Sequence, residues 1–238
     1  MQEIGNSYKV ADHISKNIFF PKRNITTKKS LSLKYLKYRA LRPILKLYYK
    51  IFKLININTP WTSQASIIIF EKILNKNMIG LEYGSGKSTL YFASKLKNLL
   101  SVEHAKDWYE NIKVLLESKN IKNVDYRLVE KNKPCSGNTS IEIQNKLKLP
   151  KFHIRKDYEA YYNVVNEFPE QHFDFILVDG RARVECAINC IGKLKRNGIL
   201  VLDNAERERY SPVIKILDEW PRVVTTNGLT DTIFWFKP

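Results

Sequence analysis

The stretch Met78-Ile-Gly-Leu-Glu-Tyr-Gly-Ser-Gly-Lys-Ser-Thr89 constrains the fold more than any other part of the chain. An apolar run ends in an acid, Glu82; a glycine-rich turn follows at Gly84, Ser85 and Gly86, and residues 90–99 then read as helix. Glycine carries no Cβ, so the backbone of such a strand-to-helix turn comes close to a ligand held over the strand ends. The same alternation continues downstream. Residues 100–104 and 123–129 read as second and third strands, with a helix over 105–119 that sets Trp108, Ile112, Leu115 and Leu116 on one face. Residues 173–180 form a fourth apolar run, 182–194 a helix, and 197–204 a fifth strand after a Lys195–Gly198 corner. A helix over 206–220 and strands over 222–226 and 231–236 complete the pattern. Strands alternating with helices predict an α/β fold, a mostly parallel sheet covered on both faces.

Two ligand chemistries compete for the glycine turn. Gly86-Lys87-Ser88-Thr89 supplies the ending of a phosphate-binding P-loop, which would make the chain an ATP-binding kinase or NTPase acting through Lys87 and Mg²⁺. That motif needs a glycine five residues before Gly86, where this chain has Leu81, with Gly80 one residue out of register. Glu82 would also set a carboxylate inside the phosphate cradle. The second chemistry accommodates both misfits. Glu103 ends the second strand about twenty residues beyond the turn, where an acid accepts hydrogen bonds from the two hydroxyls of a ribose.

Acid-x-Gly-x-Gly after a first strand resembles the first motif of class I S-adenosylmethionine-dependent methyltransferases. The resemblance covers about residues 60–238 and implies a Rossmann-like, seven-stranded, mostly parallel sheet. It divides the chain into a basic helical N-terminal extension, 1–58, and a methyltransferase domain, 59–238. It also implies S-adenosyl-L-methionine as cofactor, contacted by Glu82, Gly84, Ser85, Gly86, Ser88, Thr89, Glu103, His104 and Asp179.

The acceptor is less constrained. The Asn/Asp-Pro-Pro-Tyr/Phe signature of amino-directed adenine methyltransferases is absent after the fourth strand, where the chain reads Asp179-Gly-Arg-Ala-Arg183. Pro134-Cys135 falls before the fourth strand, not after it as in cytosine C5 enzymes, so an oxygen acceptor is the default. Asp179 with Asp203 and Asn204 resembles the metal-holding set of catechol-type O-methyltransferases, which implies Mg²⁺ on these three residues. The open alternative is direct contact of Asp179 with cofactor or substrate, with Asp203-Asn204 capping the next helix. The segments 179–183 and 202–210, with Pro60-Trp61-Thr62 upstream, resemble small bacterial methyltransferases associated with glycan pathways. That resemblance implies O-methylation of a sugar or glycan precursor, with Arg181, Arg183, Arg207 and Arg209 rimming the acceptor pocket; equally, the arginines pair with Glu185, Glu206 and Glu208. Tyr158, just after the polar stretch 131–156, is a further candidate acceptor contact. Residues 131–156 read as a polar lid loop whose one histidine, His153, is a candidate general base beside Asp179.

Charge is uneven. The chain carries +16, and eleven Lys and Arg with no acid lie in residues 22–53. Over 31–55, Leu33, Leu36, Ala40, Ile44, Leu47, Ile51 and Leu54 step by threes and fours, with Lys34, Lys37, Arg42, Lys46, Lys50 and Lys53 on another face. This predicts a basic amphipathic helix, kinked or restarted at Pro43. Its partner is its own domain, an anionic membrane surface, or nucleic acid, as for an RNA-directed methyltransferase. Of three cysteines, Cys186 and Cys190 lie four apart on a helix and read as small apolar groups. Without a signal-like N-terminus, a reducing cytoplasm is expected, with the inner membrane face as the peripheral site.

Overall fold

A computed structural model describes residues 33–56, 59–135, 138–148 and 152–238. Residues 22–32 of the basic segment lie outside the described residues. The elements run α1 (Leu33–Ile55), α2 (Gln64–Ile73), β1 (Ile79–Tyr83), α3 (Lys87–Lys95), β2 (Asn98–Glu103), α4 (Lys106–Ser118) and β3 (Val124–Leu128). They continue with α5 (Thr139–Leu147), α6 (Glu159–Asn163), β4 (Phe173–Val178), α7 (Arg183–Cys190), β5 (Leu194–Asp203), α8 (Ser211–Ile216), β6 (Arg222–Thr226) and β7 (Asp231–Phe236). The seven strands form one sheet in the order β3-β2-β1-β4-β5-β7-β6. All neighbours are parallel except β7, which pairs antiparallel with both β5 and β6. The Rossmann-like architecture expected from the sequence is therefore present.

Side chains alternate across a strand, so each central strand feeds two cores. Ile176 and Val178 of β4, with Leu200 and Leu202 of β5, pack into the core that carries α5, α6 and α7. Phe175, Leu177, Ile199 and Val201 point the other way, onto Ile69 and Phe70 of α2 and Phe92 of α3. Cys186 and Cys190 are fully buried among the first set, as small apolar groups. Ser63 caps α2, its Oγ accepting from the Ser66 amide at 3.1 Å.

Four expectations need correction. Residues 131–156 are not a plain loop, because Ile143 and Leu147, four apart, bury one face of α5 under the sheet; residues 136–137 and 149–151 of that stretch lie outside the described residues. The helix expected over 206–220 shrinks to a 3₁₀ turn, Glu208–Tyr210, and α8, since Pro212 is tolerated only in a first turn. The 195–198 corner is absorbed into β5 as a break in register with β4 between the pairs Phe173–Leu194 and Phe175–Ile199, with Asn197 left-handed at φ 60°. Finally, α1 runs through Pro43 as one helix and turns its leucine and isoleucine stripe outward, burying Tyr38.

Phe70 is the keystone of the second core, with ring centroids 5.1 Å from Phe92, 5.9 Å from Phe175 and 5.1 Å from Phe234. Phe70→Ala should lower unfolding free energy by about 3–5 kcal/mol in urea titrations without changing the folded-state circular dichroism.

Candidate active site

The site lies at the carboxyl edge of the sheet, where β1 sits between β2 on one side and β4 on the other. That reversal of strand order opens a crevice in α/β sheets, and ligands bind there. The turns after β1 and β4 meet backbone to backbone. Gly84 has φ +93°, and a Cβ there would stand 2.6 Å from both Cα and N of Gly180. Any side chain at Gly84 would therefore force the two turns apart.

Glu82 ends β1 completely buried. Its Oε1 accepts from Ser88 Oγ at 2.5 Å, and its Oε2 from Thr89 Oγ1 at 2.6 Å and Ser101 Oγ at 2.8 Å. Thr89 Oγ1 in turn accepts from the Gly86 amide at 3.0 Å. Burial raises the Glu82 carboxyl to about 7, against the pull of the three hydroxyls. Three residues expected to touch a cofactor, Glu82, Ser88 and Thr89, thus point inward. Their side chains are spent on one another, and their role is to hold the turn.

Glu103 ends β2 one strand away. Its Oε2 accepts from the amide and the hydroxyl of Ser85, both at 3.0 Å, and its Oε1 from the amides of His104 and Ala105, both at 2.8 Å. Burial pushes this carboxyl up, but the donors at His104 and Ala105 outweigh it and hold the group below its usual range. Ser85 Oγ also lies 2.7 Å from Tyr126 Oη, and Trp108 Nε1 donates to the Ser85 carbonyl at 2.7 Å. The His104 ring packs 5.7 Å from Tyr158 and 5.9 Å from Tyr161. Tyr158 is buried in this aromatic cluster. It is not among the residues lining the arginine-rich cavity described below.

Asp179 follows β4 and Asp203 ends β5; their carboxyls are hydrogen-bonded to one another, and Arg183 pairs with them from the first turn of α7. Its Nη2 is 2.7 Å from Asp179 Oδ1 and its Nη1 is 4.0 Å from Asp203 Oδ2. The same guanidinium donates to the carbonyls of Gly180 (3.0 Å), Asp179 (2.5 Å) and Asp203. Asp203 is further bonded by Thr232 Oγ1 and by Asn204 Nδ2, each at 2.7 Å. These residues do not fit a divalent ion. Asn204 offers its amide hydrogens to Asp203, and the two carboxyls are already bonded to each other and to Arg183. The expected Mg²⁺ set of Asp179, Asp203 and Asn204 is corrected accordingly, and no cluster of three His, Cys, Asp or Glu suited to a metal occurs among the described residues. Burial and the neighbouring Asp203 raise the Asp179 carboxyl, against the pull of Arg183.

Beside these aspartates is a cavity of about 180 Å³, lined by Arg155, Arg181, Arg183, Arg207 and Arg209, with His153 and Tyr210. Glu185 also lines it but is buried and accepts from the Arg155 amide at 2.8 Å. Among the described residues, the arginine–glutamate pairing considered from sequence is seen at Arg207, 3.5 Å from Glu206. Arg209 instead lies over the Tyr210 ring at 4.9 Å. His153 is exposed here, at the same cavity as Arg181, Arg183, Arg207 and Arg209, the four arginines named from sequence.

Sequence reasoning missed Trp108 and Tyr126 as supports of Ser85, and Arg155 at the cavity. It also missed Tyr49 of α1, whose phenol is raised by burial and by Asp203 and Asp179. Only Trp108 had a signal, its place on the inward-facing side of a predicted helix.

No protein-family model matches the chain, and no curated protein matches it. Among solved structures, a candidate methyltransferase from Streptococcus mutans in complex with SAH aligns with 73% of this chain and 96% of its own, at 12% identity and TM-score 0.51. An rRNA methylase from Streptococcus thermophilus aligns with 72% of this chain and 93% of its own, at 9% identity and TM-score 0.50. At such identities the likeness is one of fold: this chain has the class I methyltransferase fold.

Glu82 generates a pH prediction. Its folded-state pKa of about 7 lies above the ordinary 4.5, so the folded protein holds the extra proton between those values. The stability it contributes is full below pH 4.5 and is lost as pH rises through 7, by about 3 kcal/mol. Denaturant titrations at pH 5 and pH 8 should show that loss reduced by a similar amount in Glu82→Gln. An equal loss in both proteins would contradict it.

Proposed function

We propose that the chain is an S-adenosylmethionine-dependent methyltransferase that methylates a hydroxyl of an anionic sugar or glycan precursor. Glu103 carries the reading. It is an acid at the end of β2, beside a glycine turn, with Oε2 held by Ser85, a residue of that same turn. The ribose hydroxyls of the cofactor would take the place of the Ser85 donors, and His104, Tyr158 and Tyr161 would wall the adjoining space. The fold neighbour in complex with SAH supports the choice of cofactor. The P-loop alternative is disfavoured by the turn itself, because the Ser85 amide donates to a carboxylate where a phosphate would require it free.

When bound, the cofactor's sulfonium supplies the methyl group and accepts the electron pair of the broken S–C bond. The chain must orient the acceptor hydroxyl in line and take its proton. Asp179 suits that task. Its carboxyl is only half-buried, its pKa is raised above the ordinary carboxylate range by desolvation and Asp203, and Arg183 fixes it in place. Arg181, Arg207 and Arg209 are exposed at the cavity rim and suit a carboxylate or phosphate on the acceptor. The sugar assignment rests on the sequence resemblance of segments 179–183 and 202–210. RNA is the second reading, favoured by the net charge of +16.

Calorimetric titration with S-adenosylhomocysteine should show binding that Glu103→Ala weakens by at least about tenfold, since two hydrogen bonds to a charged group are lost. Lys87→Ala should leave it unchanged. Tight ATP binding that depends on Lys87 would reject the proposal. Once an acceptor is in hand, turnover should persist in excess EDTA and fall to background in Asp179→Asn. Loss of activity in EDTA, restored by Mg²⁺, would return the metal to the aspartates.

A further inference from the structure

The helix α1 shows an inverted arrangement. An amphipathic helix normally buries its aliphatic stripe, but here Leu33, Ile44, Leu47 and Leu54 are 69%, 64%, 61% and 64% exposed. Leu36 and Ile51 complete the row, at spacings of three and four, along about 30 Å of helix. The opposite face is the one that holds the domain. Tyr38 is buried and Leu45, Tyr49 and Phe52 are half-buried. Tyr49 Oη donates to the Trp61 carbonyl at 2.6 Å, and Gln64 Nε2 donates to Tyr48 Oη at 2.8 Å. These anchors fix which way the helix faces, so the outward stripe is a property of the fold.

We propose that α1 is an in-plane membrane helix that seats the protein on an anionic lipid surface. Charge selects this occupant. The helix has no acidic residue, and Lys37, Arg39, Lys46 and Lys50 are exposed around the stripe. A second copy of the chain would bring the same cations face to face across the stripe and be repelled. Nucleic acid would satisfy the cations but leave the leucines in water. An anionic bilayer satisfies both, taking the aliphatic row below the headgroups while the basic side chains reach the lipid phosphates. No helix among the described residues is long and apolar enough to cross a membrane, which matches a helix lying in the surface. Tyr49, on the inner face, is near enough to Asp203 and Asp179 for their charges to raise its phenol. The membrane proposal does not depend on the cofactor assignment.

The test is co-sedimentation of the full chain with vesicles of phosphatidylcholine, with and without phosphatidylglycerol. The intact chain should pellet with the phosphatidylglycerol vesicles and stay in solution with phosphatidylcholine alone. The triple variant Ile44→Ser, Leu47→Ser, Ile51→Ser should bind at least about tenfold more weakly, with its melting temperature and S-adenosylhomocysteine affinity unchanged because these side chains are exposed. The single variant Leu47→Asp provides an independent check should the triple fail to fold. Absence of vesicle binding by the intact chain would overturn the proposal, as would undiminished binding by the foldable variants. A wild-type dimer in light scattering that the same substitutions dissolve, without vesicle binding, would assign the stripe to a second copy. Salt-sensitive RNA binding in place of vesicle binding would assign the charge to nucleic acid.

Discussion

Two carboxylates at neighbouring strand ends organise everything at the ligand edge. A buried carboxylate is costly unless its oxygens are hydrogen-bonded, and each of these has found a full set of donors. Glu82 gathers hydroxyls from the first turn of α3 and from β2, which ties the glycine turn to two elements at once. Glu103 takes amides from its own strand end and both donors of Ser85. The first is sealed and structural. The second is bonded on one side by a residue of the turn itself, and that difference is what suits it to the proposed ribose contact.

The same principle accounts for the aspartates. Asp179 and Asp203 sit close together at the ends of β4 and β5, where both charges could not persist uncompensated. Arg183 compensates them from the first turn of α7, and its remaining hydrogens satisfy three carbonyls at the strand ends. A planar guanidinium is suited to this because its donors spread in a fixed fork. The result is a site whose fixed cation is part of the chain, and the exposed arginines beside it extend the positive field over the adjoining cavity.

Strand periodicity made the sheet legible: β6 and β7 fall where the sequence places them, and the other strands shift at their ends, most at β5. The positions of Glu103 and Asp179 followed from motif spacing, which is set by strand and helix lengths. What the sequence concealed depended on tertiary contact. Nothing local distinguishes Glu82, whose partners come from 6, 7 and 19 residues away, from an acid that faces a ligand. Arg183 sits in an arginine-rich segment that reads equally well as a substrate rim. The orientation of α1 was hidden for a related reason. Hydrophobic periodicity identifies the aliphatic face, but the tyrosines of the other face make the specific hydrogen bonds that dock it.

A crystal structure with bound S-adenosylhomocysteine tests the central claim most directly, namely that Glu103 is the ribose acceptor and Ser85 stands in for the ligand. The account predicts both ribose hydroxyls within hydrogen-bonding distance of the Glu103 carboxylate, Ser85 displaced from it, and Glu82 still enclosed by Ser88, Thr89 and Ser101. A ligand bound elsewhere, with Ser85 still donating to Glu103, would contradict it.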